Sequence, residues 1–144
     1  KAKKIYAVDV GYGQLAWRLR QDERVIVMER ENARYLDSAS FDEEIDLVVC
    51  DASFISLVQV LPAALSIAIS GAKLIALIKP QFEAGKDLVE KGGVVRKQNV
   101  HEKVCVKIRL WLENIMKWDV LGIEPSPIKG PAGNKEFFIS AIKK

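Results

Sequence analysis

Apolar positions along the chain fall into short continuous runs separated by stretches with helical spacing. Runs of this kind, rich in valine and isoleucine, are typical of buried strands. They predict strands over residues 5–10, 24–28, 46–51, 72–78, 120–124 and 137–142. The intervening pattern predicts a short helix over 14–20, a helical turn over 32–36, a helix over 57–69 and a longer helix over 100–115.

Strands that alternate with helices indicate a parallel sheet with helices on both faces. The last two predicted strands are joined by a loop, residues 125–134, that contains several prolines and glycines. These two strands are therefore expected to form an antiparallel hairpin at one edge. The predicted fold is a Rossmann-like α/β domain, mostly parallel with a terminal antiparallel hairpin, which is the layout of class I methyltransferases. The length of 144 residues suits one domain, residues 1–144.

Composition and charge exclude only a few classes of partner and site. A formal net charge of +3 is too small to indicate nucleic-acid binding by itself. The longest apolar stretch, residues 57–69, contains polar residues and a proline and is shorter than the ~20 residues of a membrane-spanning helix, so no membrane partner is expected. Cys50 and Cys105 are predicted to be buried thiols of a cytoplasmic protein, and with a single histidine they give no zinc-site spacing, so no metal is expected.

Catalytic and ligand-binding side chains are expected beyond the carboxyl ends of the strands, where open α/β sheets bind their ligands. Polar side chains occupy these positions: Asp9, Glu29, Asp51 and Lys79 each end a predicted strand, and Glu136 opens the last one.

The segment from Asp9 to Gly13, with the sequence DVGYG, has two interpretations. It resembles the glycine loop of a methyltransferase, in which case Glu29, twenty residues further on, would hold the ribose hydroxyls of the cofactor. Alternatively, Asp9 is itself the ribose-binding acid and the glycine loop precedes Lys1.

Asp51 and Lys79 also allow more than one role. Asp51 is followed by small residues, so its carboxylate could approach a bound cofactor, or it could cap the helix that begins near Leu57. Lys79 ends a strongly apolar strand. An amine in apolar surroundings loses its proton more readily, which makes Lys79 a candidate base, although it could instead extend to the rim of the sheet or pair with Glu83.

Glu136 follows a tight loop over residues 130–135. This loop could deliver the carboxylate to the edge of the sheet as a catalytic group, or the glutamate could be an ordinary exposed residue after a hairpin turn. His101, at the start of the long helix, is predicted to lie on the surface.

Five segments together resemble the TlyA group, often labelled hemolysin A, of the FtsJ-type ribosomal RNA 2′-O-methyltransferases. They are IYAVDVGYGQLAWRLR at 5–20, CDASFISL at 50–57, IKPQFE at 78–83, GGVVR at 92–96 and GPAGNKEFF at 130–138. The resemblance covers nearly the whole chain in the right order.

The resemblance implies an S-adenosylmethionine-dependent enzyme that methylates cytidine 2′-hydroxyls in ribosomal RNA, with ribosomal RNA or a ribosomal subunit as its partner. It implies a Lys-Asp-Lys-Glu tetrad, of which Asp51, Lys79 and Glu136 match the last three members. Asp51 is also expected near the cofactor.

Such proteins carry an S4-like RNA-binding domain at the N-terminus, then a lysine, a first strand and a glycine-rich loop. By this resemblance the domain is N-terminally incomplete, the strand over 5–10 is the second of the fold, and Asp9 is the ribose-binding acid.

Two other classes of function compete with this one. A non-catalytic RNA-binding domain would bind RNA without a cofactor. A membrane-lytic protein, which the hemolysin label suggests, is disfavoured because no segment has the pattern of a spanning or strongly amphipathic membrane helix.

Overall fold

The computed structural model describes residues 1–144. The strands are β1 (Ile5–Asp9), β2 (Val25–Glu29), β3 (Leu47–Cys50), β4 (Lys73–Ile78), β5 (Trp118–Pro125) and β6 (Phe137–Lys143). The α-helices are α1 (Trp17–Arg20), α2 (Leu57–Val60), α3 (Pro62–Ile67), α4 (Pro80–Glu83) and α5 (Gln98–Asn114). Single 3-10 turns occur at Ala33–Tyr35, Ser38–Ser40, Lys86–Leu88 and Pro131–Gly133.

The strands form two hydrogen-bonded groups. β1 pairs in parallel with β2, and a four-stranded sheet has the order β3-β4-β6-β5. β3 and β4 are parallel, whereas β6 is antiparallel to both β4 and β5. The terminal antiparallel hairpin is therefore confirmed, with β6 lying inside the sheet and β5 at its edge. β1 and β3 each keep one edge without a strand partner.

The predicted helix over 57–69 is two short helices, α2 and α3. The break falls at Leu61–Pro62, where proline lacks the backbone N–H that a continuous helix would use. Pro62 instead takes the first position of α3, which suits its fixed φ. α4 follows β4 almost directly and ends at Glu83.

One hydrophobic core lies between the four-stranded sheet and the helices α2, α3 and α5. Leu74, Ala76 and Ile78 alternate along β4 toward this core, and Ile108 of α5 is fully buried against them. The opposite face of this sheet is not covered by a helix. It exposes large apolar side chains at Leu47, Val49, Ile75 and Phe138.

The surface position predicted for His101 is wrong. His101 is only 8% exposed, its Nε2 lies 2.7 Å from the carbonyl oxygen of Val95, and its ring packs edge-on against Phe137. The first turn of α5 faces the loop that precedes it, and this contact could not be inferred from helical spacing. None of the helices has the length and apolar character that crossing a membrane requires.

Candidate active site

Asp51 and Lys79 meet at the carboxyl edge of the two parallel strands β3 and β4. The Lys79 Nζ lies 2.6 Å from Asp51 Oδ1. The Lys79 side chain is 11% exposed, because its stem is covered, whereas Asp51 is 68% exposed. The lysine thus presents its amine to a solvent-facing carboxylate. The alternative pairing of Lys79 with Glu83 does not occur.

The loop between Asp51 and α2 supplies a second partner for this lysine. Lys79 Nζ donates a hydrogen bond of 3.1 Å to Ser53 Oγ. Phe54, the next residue, has a positive φ of 64° and is 89% exposed, with its ring centroid 5.0 Å from that of Phe82. A left-handed conformation is uncommon for an aromatic residue, so the loop is held in a particular shape.

Capping of α2 is performed by Ser56, not by Asp51. The Ser56 side chain accepts a hydrogen bond from the backbone N–H of Val58. The carboxylate of Asp51 is therefore free of a capping role and engages Lys79.

Glu136 is buried, with 6% exposure, so the interpretation of an ordinary exposed glutamate is wrong. Gln81 Nε2, two residues after Lys79, donates to Glu136 Oε1 at 3.0 Å. The carboxyl group packs directly against Gly130, at a point where any side chain would collide with it. Glu136 is thereby tied to the chain that follows Lys79.

The loop before Glu136 is fixed by Asn134, which is 2% exposed. Its Oδ1 accepts from Val95 N at 3.0 Å, and its Nδ2 donates to the carbonyl oxygen of Gly93 at 2.8 Å. The sequence analysis predicted no role at the site for Asn134, Gln81 or Ser53. All three lie within the segments that resemble the family, and this was the only signal that could have indicated them.

Asp9 and Glu29 lie side by side at the ends of β1 and β2, where they are paired in register. They line a cavity of about 270 Å³ together with Gln14 and apolar side chains of both strands. Asp9 Oδ1 accepts from Gly11 N at 2.7 Å, and its Oδ2 makes no hydrogen bond within the protein.

Glu29, in contrast, is already engaged. Its Oε1 accepts from the Arg20 guanidinium and from Gly13 N. The Arg20 hydrogen bond, helped by that of Gly13, holds the pKa of Glu29 below its ordinary value despite partial desolvation. Of the two acids, Asp9 is the more exposed and the one without an ion-pair partner in the protein.

Both cysteines are free thiols, and both are half-buried. Burial raises the pKa of Cys50 and of Cys105 to about 11. A thiol with a raised pKa is mostly protonated near neutral pH and is a weak nucleophile there.

Comparison with known proteins decides the family. The family model described as FtsJ-like methyltransferase matches residues 1–143. The chain belongs to the FtsJ-like methyltransferase family. The expected resemblance to the TlyA group is confirmed by the 16S/23S rRNA (cytidine-2′-O)-methyltransferase TlyA of Mycobacterium tuberculosis, which is 45% identical over 138 residues, 96% of this chain and 51% of the relative.

Solved structures agree with this family. A Streptococcus thermophilus protein, provisionally named a hemolysin, superposes with a TM-score of 0.94 at 43% identity, covering 99% of this chain and 52% of that one. The N-methyltransferase NodS from Bradyrhizobium japonicum, solved with S-adenosyl-L-homocysteine, superposes with a TM-score of 0.60 at 10% identity, covering 98% and 67%. The NodS match shows the fold alone, and it confirms the predicted class I methyltransferase layout.

Proposed function

We propose that the full-length protein is an S-adenosylmethionine-dependent methyltransferase that acts on cytidine 2′-hydroxyls of ribosomal RNA, free or in a ribosomal subunit. The observation that carries this proposal is the Lys79–Asp51 pair at the carboxyl edge of the sheet, with Glu136 linked to it through Gln81. The family and the name of the mycobacterial relative support the substrate class. A ribosomal RNA substrate would place the protein in the cytoplasm.

The cavity at the ends of β1 and β2 fits part of the cofactor. Asp9 Oδ2, which has no partner in the protein, can accept hydrogen bonds from two ribose hydroxyls. Glu29 would shape this cavity through Gly13 and Arg20, and Asp51 would face the cofactor from β3. When bound, S-adenosylmethionine supplies a methyl group on a positively charged sulfur.

The three acid–base residues then have separate tasks. Lys79 in its neutral form takes the proton of the ribose 2′-hydroxyl onto Nζ, which makes the oxygen a competent nucleophile. Asp51 keeps the amine at the edge of the sheet and stabilises it once it carries the proton. Glu136, held by Gln81, would orient the hydroxyl. Much of the rate comes from fixing these groups beforehand.

The test is methyl transfer by the full-length protein to ribosomal RNA with isotopically labelled S-adenosylmethionine. Nuclease digestion should yield labelled 2′-O-methylcytidine. RNA binding without labelling, and without calorimetric binding of S-adenosylmethionine, would contradict the proposal and favour a non-catalytic RNA-binding domain.

Replacement of Asp9 by alanine tests the cofactor site. Loss of a charged acceptor for two hydroxyls is expected to weaken S-adenosylmethionine binding by about 10- to 100-fold. Calorimetry on the full-length protein measures this, and Glu31→Ala, which removes an exposed carboxylate just beyond β2, is the matched control. Equal affinity of the Asp9 variant and the wild-type protein would exclude Asp9 from the site.

The domain organisation is a further part of the proposal. The chain spans about half the length of the mycobacterial relative it matches. β1 and β3 each have one unpaired edge, and Val49 is 70% exposed on the uncovered face of β3. We propose that residues preceding this domain add a strand between β1 and β3 and cover that face, beyond which an S4-like RNA-binding domain follows toward the N-terminus.

Val49→Asp in the full-length protein tests this organisation. If the face is covered there, the substitution buries a charge, and the melting temperature should fall by roughly 10 °C. Glu44→Asp, at an exposed position before β3, is the control variant, and its melting temperature should equal that of the wild-type protein. A melting temperature equal to that of the wild-type protein would show that Val49 stays exposed in the full-length chain.

A further inference from the structure

The loop between Asp51 and α2 is not held by hydrogen bonds between backbone groups. Residues 51–55 take part in no backbone–backbone hydrogen bond. The loop also contains Phe54 at a positive φ, a conformation that persists only when surrounding contacts impose it. Its shape must therefore come from side-chain contacts.

Those contacts all lead to the segment that follows β4. Ser53 Oγ accepts from Lys79 Nζ, and Phe54 packs on Phe82. The strongest contact is at Glu83, which is 8% exposed. Glu83 Oε2 accepts from Ser56 Oγ at 2.6 Å, and Glu83 Oε1 accepts from Leu57 N at 2.7 Å.

The Glu83 carboxylate is held in this position by protein contacts and is not a solvent-exposed group that only lies nearby. Both of its oxygens are used, and Lys107 Nζ lies 3.4 Å from the backbone carbonyl oxygen of the same residue. Burial raises the pKa of Glu83, while the hydrogen bonds from Ser56 and Leu57 oppose that shift. Charge-assisted hydrogen bonds of this kind are short and strong.

We propose that Glu83 is a positioning residue: it clamps the far end of the Asp51 loop to the Lys79 segment and thereby fixes Asp51 and Ser53 around the Lys79 amine. Glu83 does not contact the reacting atoms. It acts on two chain segments that both leave the carboxyl edge of the sheet. Without Glu83, the two segments are joined only near their start, by the contacts of Asp51, Ser53 and Phe54. The kinetic side of this inference rests on the proposed function.

Three variants of the full-length protein test the clamp. Glu83→Ala removes both hydrogen bonds, and kcat should fall by about 10- to 100-fold, because small misplacements of catalytic groups are costly. The KM for RNA and for S-adenosylmethionine should change little. Glu83→Gln keeps an acceptor for Leu57 N and an amide donor for Ser56 Oγ, so it should rescue most of the lost rate. Ser56→Ala removes the hydroxyl half together with the side-chain cap of α2, leaves the bond from Leu57 N to Glu83 in place, and should have an intermediate effect. If Glu83→Ala does not fold, the kcat of Ser56→Ala tests the clamp in its place.

A second readout does not depend on enzymatic activity. The rate at which Lys79 reacts with an amine-modifying reagent, followed by mass spectrometry, should rise severalfold in Glu83→Ala and stay near the wild-type rate in Glu83→Gln. Glu113→Ala, which removes a carboxylate from α5, is the control for both readouts and should match the wild-type protein.

Wild-type kcat and wild-type Lys79 labelling in Glu83→Ala would overturn the clamp. Equal losses in Glu83→Gln and Glu83→Ala would also overturn it, because the charge and not the hydrogen-bond geometry would then matter. If the wild-type protein transfers no methyl group, the proposed function fails separately, and the labelling comparison alone decides this inference.

Discussion

Replacing Lys79 with alanine in the full-length protein is expected to lower the rate of methyl transfer to ribosomal RNA by about 10²- to 10⁴-fold, the usual contribution of a positioned general base. The structure gives the reason. Lys79 is the amine at the carboxyl edge of the sheet that is held by Asp51 at 2.6 Å and by Ser53 at 3.1 Å. No other lysine is held by these groups, so the proton of the 2′-hydroxyl would lose its acceptor.

A charge-conserving variant separates a base from a simple cation. Arginine at position 79 can still pair with Asp51, but it does not give up its proton at accessible pH, so Lys79→Arg should be as inactive as the alanine variant. Lys73→Ala is the matched control, since Lys73 is an exposed lysine at the opposite end of the same strand. Initial rates with labelled cofactor measure all three. An active arginine variant would mean that position 79 supplies charge alone, and undiminished transfer by the alanine variant would remove Lys79 from the mechanism.

Gly130→Ala is expected to reduce kcat by about 10²-fold by displacing the Glu136 carboxylate, although residue 130 itself need not contact the substrate. A methyl group at this position would lie 2.7 Å from Glu136 Cδ and closer still to Oε1. The carboxylate has little room to move away, since it is buried and bonded to Gln81. The backbone of Gly130 is extended, so alanine adds no conformational strain there.

The effect of Gly130→Ala should act through Glu136 alone. In a double-mutant cycle, Gly130→Ala should therefore add almost nothing to the loss caused by Glu136→Ala. Gly122→Ala is the control, because an added methyl group in β5 meets no atom within 4 Å. Steady-state kinetics give kcat, and thermal melting verifies that the variants stay folded. Losses that simply add in the double variant would show that Gly130 influences the rate by another route.

The strands and the class of fold follow from the pattern of residues along the chain. Apolar runs of four to seven residues are legible in the sequence because buried parallel strands must be apolar on both sides. The positions of Asp9, Glu29, Asp51 and Lys79 at strand ends also follow from local pattern, because each one comes where an apolar run stops. Their common edge is then expected, since the carboxyl ends of parallel strands lie at the same edge of a sheet. The same local information failed at Pro62, where a proline within a helical pattern either starts a helix or breaks one.

The contacts that each of these groups makes depend on how the strands and helices pack together. Along the sequence, the carboxylate nearest to Lys79 is that of Glu83. The parallel pairing of β3 with β4 instead places Asp51 beside Lys79, while Glu83 binds Ser56. Glu136 is buried and accepts a hydrogen bond from Gln81, which lies 55 residues earlier in the chain. His101 became buried by the loop before α5. Partners distant in sequence leave no periodic signal, so burial and hydrogen bonding at the site are set by how the elements pack, whereas the elements themselves are set by local pattern.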